Sequence, residues 1–177
     1  AANDLIGIKE TVFLRYPDGE REPTLALRTD LTRLIRQFKP DTVSTGNPEG
    51  WFYGEGYFNH PDHRAAAQAG CEAVFPSAGT RLIFTDLLAA GYEPHDVSRL
   101  YIHGTEKADT WVDISETLDV KIKALQQHVS QIPVDEVGKW MTEWAAEDAK
   151  DKDMQYAESY KVMILKKDEE ESNQVDT

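Results

Sequence analysis

The sequence predicts an α/β fold with a largely parallel sheet, and three observations support that prediction. Short runs rich in β-branched and aromatic residues alternate with segments whose apolar residues recur every three or four positions, as in strands alternating with helices. Of the 177 residues, 40% are apolar and 10% aromatic, which is typical of a globular protein with a buried core. No internal repeat or linker divides the chain, so we expect one domain over residues 1–167, followed by a disordered acidic tail at 168–177.

The first half of the chain predicts two strands and three helices. We expect a strand at 8–15, a helix at 23–38, a strand at 41–45 and helices at 61–74 and 80–90. In the first helix Leu27, Leu31 and Leu34 recur at helical spacing, and Pro40 ends it because proline cannot continue a helix. The loop at 46–59 is long for a compact domain, which suggests that it has a function.

The second half of the chain predicts three more strands and two helices. The strands are expected at 97–103, 110–114 and 158–165. Asp113 and Glu116 resemble a capping box that opens the first helix. The apolar stripe of that helix is Leu118, Ile122, Leu125 and Val129. Pro133 opens the second helix, whose inward side is predicted to carry Val137, Trp140, Met141 and Trp144.

The charge and the cysteine count restrict the partners and the location of the protein. The formal net charge is −13 and the isoelectric point is about 4.7, which argues against nucleic acid because phosphate binding needs a basic face. No apolar run has the length that spans a bilayer, so we expect no membrane insertion. The single cysteine, Cys71, excludes an internal disulfide and fits a reducing compartment, so a cytoplasmic protein is expected.

The segment at 59–64, Asn-His-Pro-Asp-His-Arg, concentrates residues suited to chemistry. Asn59 can cap a helix that begins at Pro61, and His60 and His63 then project from one side of its first turn. A loop that leads into such a turn is suited to metal binding or to acid–base chemistry. Taken alone, however, a His-x-x-His pair is more often a capping and packing device than a metal site.

Several other side chains allow two interpretations each. Aromatic residues before the histidines could stack on a sugar face or could hold the long loop in place; they are Trp51, Phe52, Tyr53, Tyr57 and Phe58. Arg64 either pairs with an acid in a site or is a solvated helix residue. His128 either complements the dipole at a helix end or lies near a pocket. Cys71 is predicted to be a small core residue, and His95 and His103 to be structural or exposed.

Separated blocks of the sequence follow one another in an order and spacing that is informative when they are taken together. The blocks are Ile6-Gly7-Ile8, Val12-Phe13-Leu14, Tyr16-Pro17-Asp18-Gly19, Leu34-Ile35-Arg36, Lys39-Pro40-Asp41-Thr42-Val43, His60-Pro61-Asp62-His63-Arg64-Ala65, Val112-Asp113-Ile114-Ser115, Lys121-Ile122-Lys123-Ala124-Leu125, His128-Val129-Ser130-Gln131 and Ala157-Glu158-Ser159-Tyr160. Together they resemble the LmbE-like / PIG-L family of zinc-dependent N-deacetylases, and the resemblance covers about residues 5–165.

The resemblance implies a Rossmann-like fold with a zinc site at the carboxyl ends of the strands. It also implies hydrolysis of the N-acetyl group of an N-acetylglucosamine-type sugar or sugar conjugate. By the family's motif, His63 is implied to be a zinc ligand, His60 the histidine that stabilises the oxyanion or protonates the leaving amine, and Asp62 the carboxylate that orients His60. Arg64 and His128 are the expected substrate-binding residues. Iron or cobalt could occupy the same ligands.

The sequence departs from the family pattern at one motif. It contains no His-Pro-Asp-Asp segment, which in the family supplies two zinc ligands and the general base. We therefore expect the first strand and helix of the family fold to be absent, the chain to be the C-terminal part of a longer enzyme, and the chain as given to be inactive. The alternatives are a glycosyl-thiol conjugate as substrate, a non-catalytic carbohydrate-binding or assembly subunit that has lost its metal, and an unrelated α/β binding domain. A homo-oligomer is compatible with the sequence.

Overall fold

The computed structural model of the protein describes residues 1–166, so the predicted tail at 168–177 lies outside the described residues. The chain divides into two compact units. Unit 1 comprises residues 1–13 and 109–159, and unit 2 comprises, of the described residues, 14–108 and 160–166.

The secondary structure of the described residues follows the chain in this order. The helices are α1 (Ala2–Leu5), α2 (Leu25–Phe38), α3 (Pro61–Glu72), α4 (Thr85–Ala89), α5 (Leu118–Leu125) and α6 (Val134–Asp148), and a π-helical segment, Ala73–Ala78, follows α3. The strands are β1 (Thr42–Gly46), β2 (Phe52–Tyr53), β3 (Tyr57–Phe58), β4 (Arg99–His103), β5 (Thr110–Asp113) and β6 (Ala157–Ile164).

The main sheet of unit 2 has the strand order β1-β4-β6 and is mixed. Strands β1 and β4 are parallel, with Thr42 opposite Arg99 and Gly46 opposite His103. Strand β6 runs antiparallel to β4, with Tyr160 opposite His103. The α/β prediction is confirmed, and the antiparallel β6 makes the sheet mixed rather than largely parallel.

Helix α3 packs on β1 through small residues, which brings its first turn to the carboxyl end of that strand. Ala65, Ala67 and Ala69 are buried, in agreement with the alanine-rich sequence. The approach is close at Gly70, where a Cβ atom would lie 3.1 Å from Oγ1 of Thr45. The core of unit 2 consists of Ile35, Ala73, Val74, Ala78, Val97 and Leu100, with Cys71 packed against it as predicted.

Unit 1 contains α1, α5 and α6, and β5 lies next to the first residues of β6. Its core is formed by Ile114, Leu118 and Ala145. The backbone N–H of Ile114 donates to the carbonyl of Tyr156 at 2.9 Å, which joins the end of β5 to the residue before β6. Among residues 1–166, no helix combines the length and the hydrophobicity that a membrane-crossing segment requires.

The predicted strand at 8–15 is wrong, because these residues have no regular secondary structure. The segment has strand-like composition, but Ile8, Val12 and Phe13 are 44%, 43% and 67% exposed. The boundary between the two units falls directly after Phe13. Strand propensity reflects packing within a sheet, and this segment belongs to neither of the two sheets of the described residues.

The structure also differs from the prediction at the starts of two helices and at two residues that were expected to face the core. The helix expected at 80–90 is reduced to Thr85–Ala89. Asp113 forms no capping box, because its Oδ1 accepts from the N–H of Ser115 at 2.9 Å and α5 begins only at Leu118. Val129 and Trp144 were expected in apolar stripes but are 74% and 64% exposed.

Candidate active site

A cavity of about 420 Å³ lies at the carboxyl ends of β1 and β4 in unit 2. Ligands of α/β proteins bind at this edge of the sheet, and the volume is within the range of about 300–1,000 Å³ that small-molecule sites occupy. The polar side chains that line the cavity are Thr45, Asn47, Tyr53, Tyr57, Asn59, His63 and His103. Unit 2 therefore contains a cavity of small-molecule size, with several polar side chains in a largely apolar wall, at the position where an α/β fold places its site.

The first turn of α3 places His60 and His63 next to each other. His60 is the N-cap residue, and its Nδ1 accepts the backbone N–H of Asp62 at 3.2 Å. Since Nδ1 is the acceptor, the neutral ring carries its proton on Nε2, an assignment that follows from this hydrogen bond. The ring centroids of His60 and His63 are 5.5 Å apart. The predicted cap, Asn59, is one residue too early: it is buried and its Nδ2 donates to the carbonyl of Gly50 at 2.7 Å.

Asp62 is buried and holds the loop at 19–21 against the start of α3. Its two carboxylate oxygens accept the backbone N–H groups of Gly19 at 2.9 Å and of Arg21 at 3.1 Å, and the Arg21 guanidinium lies 3.8 Å away. Burial raises the pKa of Asp62, but these donors, the Arg21 charge and His60 outweigh it and lower the pKa below its ordinary value. The carboxylate of Asp62 thus binds the 19–21 loop. The hydrogen bond between Asp62 and the His60 ring is made by the backbone N–H of Asp62.

Replacing Asp62 by asparagine is expected to lower the stability of the protein at neutral pH, with a smaller effect in acid. Because the folded pKa lies below the unfolded value of about 3.9, the ionised carboxylate stabilises the fold above that pH. This contribution is lost as the pH falls through the folded pKa. Urea unfolding of both proteins at a series of pH values, followed by circular dichroism, measures the difference.

The matched control for this measurement is Asp86→Asn. Asp86 is an exposed aspartate in the first turn of α4, also in unit 2. We expect its replacement to leave the unfolding midpoint nearly unchanged across the pH range. A stability difference between wild type and Asp62→Asn that stays constant from neutral to acidic pH would contradict the role given to the carboxylate charge.

His63 is exposed and lines the cavity at the carboxyl ends of β1 and β4. Among residues 1–166, no group of three or more His, Cys, Asp or Glu side chains is arranged to hold a metal ion. A zinc site that keeps a position open for water needs three protein ligands, and His63 supplies one imidazole. The donor set of the described residues is therefore not that of a complete zinc site.

Arg64 is held by the aromatic hairpin that precedes α3. Its guanidinium lies 3.9 Å from the ring centroid of Trp51 and 5.3 Å from that of Phe58, and it donates to the carbonyl of Asn59. The Trp51 and Phe58 rings also contact each other edge to face, with centroids 5.9 Å apart. These contacts support the interpretation that part of the aromatic cluster holds the long loop in place.

His128 lies in unit 1, whereas His60, Asp62, His63 and Arg64 lie in unit 2. It lines a separate cavity of about 500 Å³, whose apolar part includes Leu5, Ile6, Val120 and Leu125. The ion pair between Lys121 and Glu158, 2.6 Å long, lines the same cavity. The structure thus assigns His128 to a different cavity from the one that His63 lines.

His103 lines the His63 cavity, although the sequence analysis did not select it as a site residue. It is the last residue of β4, and Gly46, opposite it, is the last residue of β1. The carboxyl ends of neighbouring parallel strands lie at one edge of a sheet, so a histidine that ends a predicted strand was the available signal. His95, by contrast, is structural as expected, with its Nε2 2.8 Å from the carbonyl of Pro40.

The fold and the cavity define an α/β protein with a small-molecule site at the ends of its parallel strands. Residues 1–74 match the family described as PIG-L, GlcNAc-PI de-N-acetylase. This match confirms the resemblance to the PIG-L (LmbE-like) family found in the sequence.

Individual relatives support the same assignment. The diacetylchitobiose deacetylase of Thermococcus kodakarensis is 34% identical over 137 residues, which cover 77% of this chain and 49% of that protein. The 1D-myo-inositol 2-acetamido-2-deoxy-alpha-D-glucopyranoside deacetylase 1 of Saccharopolyspora erythraea is 27% identical over 133 residues, covering 64% of this chain and 39% of that protein. The solved structure of the N,N'-diacetylchitobiose deacetylase from Pyrococcus horikoshii matches with a TM-score of 0.80 at 29% identity, covering 92% of this chain and 60% of that chain. The chain therefore spans about half the length, or less, of these curated relatives.

Proposed function

We propose that the protein is an N-deacetylase that removes the acetyl group from an N-acetylglucosamine-type sugar or sugar conjugate. The observation that carries the proposal is the exposed His63 imidazole, which lies next to the His60 ring and lines the cavity at the carboxyl ends of β1 and β4. The names of the Thermococcus and Saccharopolyspora relatives, both deacetylases of acetamido sugars, support this substrate class. A glycosyl-thiol conjugate is a second substrate of the same chemistry.

His60 is assigned the role of hydrogen-bond donor to the substrate carbonyl. Its Nδ1 is occupied by the backbone N–H of Asp62, so the ring presents Nε2–H. A fixed donor stabilises the negative charge that develops on an amide oxygen when it is attacked. Asp62 holds the 19–21 loop and the first turn of α3 together, and it thereby fixes the position of the His60 ring.

Zinc is the proposed metal, with His63 as one of its ligands. The described residues supply no group of three ligands, so we expect the 177-residue chain by itself to bind zinc weakly and to be inactive. The same observation favours a second candidate function, a sugar-binding subunit without turnover. We also propose that the protein is cytoplasmic, that its substrate is a small amino sugar, and that it binds neither nucleic acid nor membrane.

Acetate release tests the proposal. The protein translated from the complete gene that encodes this chain, called the gene product below, is purified. It is incubated with N,N'-diacetylchitobiose, N-acetylglucosamine and, as a control, an N-acetyllysine peptide. We expect acetate from the sugars only, loss of activity with a chelator, and recovery with zinc. The 177-residue chain, assayed in parallel, is expected to release none.

Two results would overturn parts of this proposal. If the gene product releases no acetate from either sugar at full metal occupancy, the protein is not a deacetylase of this class and the sugar-binding alternative gains support. If the 177-residue chain alone releases acetate from the sugars, the inference that its metal site is incomplete is wrong.

A further inference from the structure

The histidine at the end of β4 faces the same cavity as the histidine at the start of α3. The parallel register of β1 and β4 ends on the pair Gly46 and His103, so both residues lie at the carboxyl edge of the sheet. His63 comes from the helix that packs on β1. Three separate elements therefore contribute to one cavity wall.

Gly46 shows how close the His103 ring comes to helix α3. A Cβ atom built on Gly46 would lie 3.8 Å from Cε1 and 3.9 Å from Nε2 of His103, and 3.7 Å from Cβ of Ala67. Ala67 follows His63 by four residues, so the two share one face of α3. The tip of the His103 imidazole and the His63 face of α3 thus meet at the glycine that ends β1.

Two tyrosines form a further wall beside His103. Tyr53 donates from its hydroxyl to the carbonyl of Gly104 at 3.0 Å, which fixes the β2–β3 hairpin to the residue after β4. The rings of Tyr53 and Tyr57 have centroids 6.1 Å apart, and both line the cavity. Aromatic faces combined with a few polar groups are the usual composition of a site that binds a sugar-sized ligand.

We propose that His103 is a substrate-binding residue that forms a hydrogen bond with a hydroxyl or acetamido group of an N-acetylated amino sugar. The inference rests on the proposed function for the substrate class and extends it, because no motif of the chain selects His103. One imidazole nitrogen donates and the other accepts, so the ring can pair with either kind of group. His103 then fixes the orientation of the sugar in the cavity that His63 also lines.

Sugar binding to the 177-residue chain tests the proposal without requiring turnover. N,N'-diacetylchitobiose and N-acetylglucosamine are titrated into protein with ¹³C-labelled histidine, and the Cε1–H resonance of His103 is assigned by its loss in His103→Gln. We expect this resonance to shift with either sugar. His103→Ala is expected to weaken binding about tenfold, the value of one hydrogen bond. His103→Gln, which keeps a donor and an acceptor, is expected to recover most of the affinity.

The outcomes separate this inference from the proposed function. If the sugars bind while the His103 resonance stays fixed and His103→Ala has wild-type affinity, or if neither sugar binds, the inference is wrong. If the gene product releases acetate with an unchanged KM in His103→Ala, the inference is also wrong but the proposed function stands. If binding depends on His103 and the gene product releases no acetate, the inference stands and the deacetylase proposal is wrong. His103→Gln and the wild-type titration keep the test decisive should His103→Ala fail to fold.

Discussion

Replacement of Arg36 by methionine is expected to destabilise unit 2 by about 3–5 kcal/mol, a large share of the stability of a typical domain. Arg36 is 1% exposed and lies in α2. Its guanidinium donates to the carbonyls of Ser77 at 2.9 Å, Thr80 at 2.7 Å and Ile83 at 3.1 Å. It also donates to those of Ala78 at 3.2 Å and Tyr92 at 3.4 Å.

The size of the effect follows from the five backbone carbonyls that lose their hydrogen-bond donor when methionine replaces Arg36. Each buried carbonyl that loses its donor costs about 1–3 kcal/mol, and charged donors form the stronger hydrogen bonds. Water can reach some of the five carbonyls after the change, so the costs do not add in full. Burial lowers the pKa of Arg36, and the negative charge of Glu93 partly opposes this shift.

The matched control is Arg33→Met on the same helix. Arg33 makes an exposed hydrogen bond to Gln37, four residues further on, so its replacement is expected to change stability by less than about 0.5 kcal/mol. Urea unfolding monitored by circular dichroism gives the free energies, and amide hydrogen exchange locates the loss in residues 77–92. Equal stability of the two variants would show that the carbonyl cage around Arg36 contributes little.

The sequence predicted the elements whose signals are local. Helix α2 was located from its leucines at helical spacing. The structure adds a cap at Thr24, whose hydroxyl accepts the N–H of Leu27 at 3.2 Å. Strands β1, β4 and β6 were located because each is a short β-rich run. The start of α3 was predicted from Pro61, although the cap proved to be His60.

The features that the sequence did not predict depend on residues far apart in the chain. Asp62 binds Gly19 and Arg21, which are 43 and 41 positions away, and Arg36 binds carbonyls at least 41 positions away. No local spacing reveals such partners. The antiparallel direction of β6 depends on tertiary packing in the same way, since its composition suits either direction.

Replacement of His63 by glutamine is expected to reduce acetate release by the gene product at least about 100-fold. Losing an outer-shell partner of a metal ligand costs about 10–100-fold, so losing a direct ligand is expected to cost no less. Glutamine keeps the polarity and approximate size of the side chain. Because His63 is exposed on the cavity side of α3, its replacement leaves the buried alanine face of the helix intact.

The control for His63→Gln is Gln68→Ala, an exposed position on the same helix whose side chain pairs with Glu72 at 3.0 Å. We expect this variant to retain activity and metal content close to those of the wild type. Steady-state acetate release and metal analysis of the purified variants distinguish a lost ligand, which lowers both, from a lost substrate contact, which raises KM at full metal occupancy. Wild-type turnover and metal content in His63→Gln would rule out the ligand role.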